Sequence, residues 1–163
     1  VNSPTPIETP FTILVSGAEQ ARYFFTGITA DADQGNRPIA VRTEWAHLKT
    51  GDYTIAGMED LVTVERKTVS DLLGTLGGGR ERFQREHERM ALMQDAMVVI
   101  ESTWPEIINQ VHAHGVSPKT AYRTWLSWQL DYGVPWIAVG PRRLAEVTTF
   151  RFLEKFWEKH GEE

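Results

Sequence analysis

The sequence has no cysteine, which excludes disulfide bridges and thiolate metal centres. No apolar run reaches the ~20 residues that span a bilayer, and no charged-then-apolar leader precedes a cleavage site, so a soluble, cytoplasmic protein without membrane contact is expected. The five histidines, His47, His87, His112, His114 and His160, fall at no zinc spacing. No Walker loop provides for a nucleotide cofactor, and no internal repeat or low-complexity tract is present. Positive charge is also scarce: 17 Lys and Arg stand against 22 Asp and Glu, a formal net charge of −5. Such a chain does not coat polyanions indiscriminately, and any nucleic-acid role requires its arginines to gather on one surface.

What is present suits one domain. The chain has 163 residues, 41% of them hydrophobic and six of them tryptophan, enough apolar matter for a single core. Residues 1–10 hold Pro4, Pro6 and Pro10 and read as an extended leader with little structure of its own. Strands are expected over residues 11–15, 38–43, 53–55, 61–64, 96–100 and 135–139. A short helical turn is expected over 44–50 and a helix capped by Ser70, its face built from Leu72, Leu73 and Leu76. The glycines at 77–79 form a joint. A long helix over 81–94 then buries Phe83, His87, Met90 and Met97. Further helices are expected from Trp104 to about Val111, closed by residues 112–115, from Ser117-Pro118 to Gly133, and over 142–159. The alternation of strands and helices predicts an α/β fold, a mixed central sheet with helices on both faces.

The stretch from Gly51 to Asp71 organises the rest. Gly57-Met58-Glu59-Asp60 has turn composition between two β-prone runs. A hairpin centred on Met58 and Glu59 sets Ala56 opposite Leu61, Thr54 opposite Thr63 and Asp52 opposite Glu65. Lys67 shares that face and Arg66 points the other way. Two opposed carboxylates repel, and a hard divalent cation between them is one remedy, with the Lys67 ammonium beside it to hold a phosphate or a water. Solvated strand-end charge is the plainer alternative.

Gly51-Asp52 followed by Glu65-Arg66-Lys67 and Asp71 resembles the G-D…E-R-K-x-x-x-D signature of the XPF family of structure-specific DNA endonucleases, within the PD-(D/E)XK superfamily. The run Arg80-Glu81-Arg82-Phe83-Gln84 behind it strengthens the likeness, which covers roughly residues 11–163 as one nuclease domain. The resemblance implies a restriction-endonuclease-like fold and Mg²⁺- or Mn²⁺-dependent hydrolysis of DNA, shape-selective on branched or flap substrates. A catalytically weak module that binds DNA or dimerises is the rival reading.

In the family reading Asp52 and Glu65 bind metal, aided by Glu19 and the backbone carbonyl of Arg66, Lys67 positions the water, and Asp71 supports the site. Arg80, Arg82, Arg85 and Arg89 track the DNA backbone; Phe152, Leu153, Phe156 and Trp157 near the C-terminus are expected in the core, with pairing of the C-terminal helices to a second copy or a partner protein as the alternative. One departure stands out: the Asp-x-Arg-Glu segment of the family reads Ser16-Gly17-Ala18-Glu19 here, which removes one acid and one guanidinium and should weaken metal binding.

Overall fold

The computed structural model describes residues 2–109 and 116–161. Among them, strands β1 (Ile7–Ser16), β2 (Ile39–Ala46), β3 (Tyr53–Ile55), β4 (Val62–Lys67), β5 (Asp95–Ile100) and β6 (Trp136–Ala138) make one sheet in the order β2-β1-β3-β4-β5-β6. Helices α1 (Val69–Leu76), α2 (Arg80–Met90), α3 (Trp104–Asn109), α4 (Pro118–Tyr132) and α5 (Arg142–His160) flank it. β3 runs antiparallel to both β1 and β4, while the β1–β2, β4–β5 and β5–β6 pairs are parallel, so the sheet is mixed, as the alternation predicts.

Two cores sandwich the sheet. On one face Phe11, Ile13, Val15, Val62 and Val64 pack on Phe150, Leu153 and Phe156 of α5. On the other Val98, Ile100 and Trp136 meet Leu72, Leu73 and Leu76 of α1, Phe83 and Met90 of α2, and Trp128 of α4. Every residue of β4 is buried, including its three charged ones. That alternation sends Val62, Val64 and Arg66 toward α5 and Glu65 and Lys67 toward α1 and α2.

Helix α2 is locked in place through a buried histidine. The His87 Nδ1 donates to the Phe83 carbonyl at 2.9 Å and its Nε2 accepts from Trp136 Nε1 at 2.8 Å. Burial lowers the His87 pKa, which favours the neutral ring that this tautomer requires. Helix α4 starts at the Ser117 cap with Pro118 in its first turn and stops at Gly133 in the left-handed conformation, as the sequence predicts.

Several boundaries differ from expectation. β1 begins at Ile7 rather than after Pro10, because the register with β2 breaks between Glu8 and Thr12, and a proline in an irregularity withholds no ladder hydrogen bond. β2 continues to Ala46, replacing the expected turn over residues 44–50. The cap of α1 is Thr68, not Ser70. α2 ends at Met90, and Met97 belongs to β5. The expected close of α3 at residues 112–115, with His112 and His114, lies outside the described residues, as do residues 110 and 111. Among the described residues no helix is long and apolar enough to cross a membrane.

Candidate functional site

Tyr53 pairs with Val64, and the Asp52 N–H donates to the Val64 carbonyl at 2.9 Å. Continued by one residue, the Tyr53–Val64 pairing brings Asp52 alongside Glu65, and both side chains line one cavity. The turn into β3 is made by Gly51 at φ 76°, where a Cβ would collide with the Thr63 side chain, so only glycine fits. The Asp52 carboxylate is fixed in turn by the backbone, since Oδ2 accepts from the Arg66 N–H at 2.8 Å.

Asp52, Glu65 and Lys67 line one open cavity of about 360 Å³ together with Ser16, Arg82, Glu86 and Arg89. Lys67 Nζ lies 3.1 Å from Glu65 Oε1 and 4.7 Å from the centre of the Phe83 ring. The hairpin's acids and its amine therefore share one water-accessible recess.

The electrostatics are strained in the direction of binding a cation. Burial pushes the Asp52 carboxyl up to about 7, against the opposing pull of the Arg66 N–H, and the charge of Glu19 adds to the rise. Burial raises Glu65 well above the usual carboxylate range, and the neighbouring Asp52 and Glu86 carboxylates raise it further. For Lys67 burial acts downward, but the surrounding Glu65, Glu86 and Asp52 outweigh it and hold the ammonium charged.

Glu86 is the site residue that sequence reasoning missed. Its Oε1 accepts from the Gly51 N–H at 3.3 Å and its side chain lines the cavity beside Glu65. A signal was present: Arg82, Glu86 and Arg89 share one face of α2 at i, i+4 and i+7.

Arg66 points away from Glu65 and Lys67, as expected, while Glu19 and Asp71 are placed differently. The Arg66 guanidinium crosses to the α5 face, where it meets Glu19 Oε1 at 3.1 Å and Glu101 Oε1 at 2.9 Å, and Glu101 also accepts from the Tyr23 hydroxyl. Glu19, expected as a metal ligand, is thus an Arg66 partner that does not line the cavity, although its charge reaches Asp52. Asp71, expected to support the site, closes a capping box with Thr68. Its carboxylate accepts from the Thr68 N–H, which spends it on the helix start.

Of the four arginines, Arg82 and Arg89 border the cavity, Arg89 donating to Thr50 Oγ1 at 3.0 Å. Arg85 is exposed beside Glu81. Arg80 is turned away, bonded to Thr124 Oγ1 at 2.8 Å and stacked over Trp128.

Ser16 is buried at the cavity wall, its N–H bonded to the Asp52 carbonyl at 2.8 Å. The residue that replaces the expected acid therefore sits beside Asp52. Among the described residues no three His, Asp or Glu side chains form a preformed ligand group. Three carboxylates line the cavity, Asp52, Glu65 and Glu86, and the repulsion of Glu65 by the other two fits a hard divalent cation of the Mg²⁺ or Mn²⁺ class.

The fold has solved counterparts. XPF from Aeropyrum pernix in complex with DNA superposes with a TM-score of 0.63 at 17% identity, covering 94% of this chain and 68% of that one. XPF from Aeropyrum pernix, in a second structure, gives 0.65 at 18% identity, covering 93% of this chain and 64% of that one. The chain spans about two thirds of the length of these proteins, and at such identity the likeness establishes the fold, that of XPF nuclease domains. No curated protein matches the sequence. The ERCC4 domain matches residues 22–147, most of the chain, and this protein accordingly belongs to the ERCC4-domain family, the XPF-like nucleases that its Gly51–Asp71 motif resembles.

Proposed function

We propose that this protein is a divalent-metal-dependent DNA endonuclease that selects substrate by shape, with branched and flap structures preferred. The observation that carries the reading is the convergence of Asp52, Glu65 and Lys67 on one cavity.

Asp52 and Glu65 would hold Mg²⁺ or Mn²⁺ with Glu86. The Arg66 carbonyl is a further oxygen donor, since the carbonyls of Val64 and Arg66 point to the same side of β4 and β3 has ended there. Such an ion supplies Lewis-acid polarisation of a phosphate and a water acidified enough to attack. Lys67, held charged by its acidic neighbours, orients the attacking water and offsets charge that builds on the phosphate. The Arg66 N–H keeps the Asp52 carboxylate aimed. Arg82 and Arg89 at the rim, with the exposed Arg85, contact backbone phosphates, a mode of binding that reads no bases and leaves selection to shape.

The rival, a DNA-binding or dimerisation module with weak chemistry, draws on Ser16 in place of an acid and on Glu19 being held by Arg66. Labelled flap, splayed-arm and blunt duplex DNA incubated with the protein in Mn²⁺ and in EDTA separate the two. Ion-dependent cutting supports the enzyme, and salt-sensitive binding without cutting supports the module.

A further inference from the structure

An exposed aromatic platform stands outside the cavity. Phe24 is 66% exposed and Trp45 57%, and the Arg22 guanidinium lies 4.6 Å from the centre of the Phe24 ring and 5.2 Å from that of Trp45. The guanidinium is itself pinned: Nη2 donates to Thr43 Oγ1 at 2.8 Å and Nε to the Tyr23 carbonyl at 3.1 Å. It therefore braces both rings while their outer faces stay open to solvent.

The backbone goes to some cost to present Phe24. Tyr23 and Phe25 on either side are buried at 1% exposure, and Phe25 takes a left-handed φ of 57°, a strained conformation for a bulky residue. The Glu146 carboxylate holds this bend by accepting from the Phe25 N–H at 2.8 Å. A large apolar ring forced outward between two buried aromatics is not explained by packing.

The position bears on the site. Trp45 lies in the edge strand β2, in register with Val15, and its neighbour Ala46 is in register with Ser16 of the cavity wall. The chain after Trp45 runs directly into that wall, which Leu48 and Lys49 help to line.

We infer that Phe24 and Trp45, braced by Arg22, form a stacking site for unpaired bases of a single-stranded DNA arm that leaves the cavity around the open edge of the sheet. This rests on the proposed DNA activity and specifies which part of a branched substrate the protein grips. Aromatic faces accept any base and a guanidinium complements the phosphates, the combination that single-strand binders use without sequence preference. A base-paired end offers no free base faces along such a path.

The test is fluorescence anisotropy with the full chain in EDTA at fixed salt, using a labelled oligo(dT) of ~15 nucleotides and a blunt duplex. Trp45→Ala and Phe24→Ala are each expected to weaken oligo(dT) binding about tenfold, with Trp45→Phe retaining most of it and duplex affinity changing far less. Equal losses on both DNAs, or no loss on oligo(dT), overturn the platform while leaving the nuclease reading intact. Self-association of the wild type that Phe24→Ala abolishes makes the surface a protein contact and overturns it as well. A wild type that binds neither DNA removes the platform and the proposed function together.

Discussion

Arg66 holds Asp52 with its backbone while its side chain works on the opposite face of the sheet: the N–H donates to Asp52 Oδ2 at 2.8 Å and the guanidinium grips Glu19 and Glu101. One residue thus ties the acid of the cavity to the packing of the loop after β1 and the end of β5. Arg66→Met leaves the buried Glu19 carboxylate without its cation and Glu101 with only Arg142, 3.4 Å away, and loss of one partner from a buried network costs about 3–5 kcal/mol. Urea denaturation should show that drop. A loss below about 1 kcal/mol would mean that Glu19 and Glu101 find water instead.

Gly51→Ala places a Cβ against Thr63 in a left-handed turn. Both the clash and the backbone strain oppose folding, with the conformational part alone about 1–2 kcal/mol. Thermal melting should register the loss, and because Gly51 precedes Asp52 and bonds Glu86, DNA cutting should fall further than stability does. Wild-type behaviour in both assays would contradict the turn geometry.

The raised carboxyls make metal-free stability depend on pH. Asp52 titrates at about 7 in the fold and near ~3.9 unfolded, so between these values the folded state binds a proton that the unfolded state has lost. Stability is therefore present at low pH and falls as pH rises through this window, with Glu65 extending the decline. His87 acts in the opposite sense below ~6.5, because burial lowers its pKa. The comparison of wild type with an Asp52→Asn, Glu65→Gln double variant cancels that contribution. In EDTA the wild type should lose roughly 1–3 kcal/mol more than the variant between about pH 5 and pH 8, and added Mn²⁺ should reverse the loss. Parallel stability curves would contradict it.

The oxygen set can be altered in both directions. Glu86→Gln removes a charge from the cavity and should raise the Mn²⁺ concentration needed both for binding, followed by calorimetry, and for cutting. Ser16→Asp adds an acid beside Asp52 and should lower it. An unchanged Mn²⁺ requirement in Ser16→Asp would take Ser16 out of the site.

The hairpin was legible because its turn composition fixes the register, and with a period of two the register fixes which of Asp52, Glu65, Arg66 and Lys67 share a face. β4 and β5 were legible as continuous or alternating β-prone runs. Pro10 misled because proline signals a break, whereas here it occupies a register irregularity inside β1. Thr68 was passed over for Ser70 although Asp71 three residues on completes a capping box with it. Glu86 and Glu19 show where sequence runs out. Periodicity says which face of α2 carries Glu86, but only the docking of α2 through His87 and Trp136 brings it to Gly51. Glu19 was expected at the metal from the resemblance of Ser16-Gly17-Ala18-Glu19 to the Asp-x-Arg-Glu segment of the family, and the buried Arg66 guanidinium pairs with it instead.

The central claim is that Asp52 and Glu65 act together on an ion at the DNA backbone. The most direct test is cutting of labelled flap, splayed-arm and duplex DNA by wild type, Asp52→Ala and Glu65→Ala across a Mn²⁺ titration, with folding of each variant checked by melting. The account predicts Mn²⁺-dependent cutting by the wild type, abolished by EDTA and reduced at least a hundredfold in either folded variant, about 2.7 kcal/mol of transition-state stabilisation. Cutting that survives in Asp52→Ala or Glu65→Ala, or that proceeds unchanged in EDTA, would contradict it.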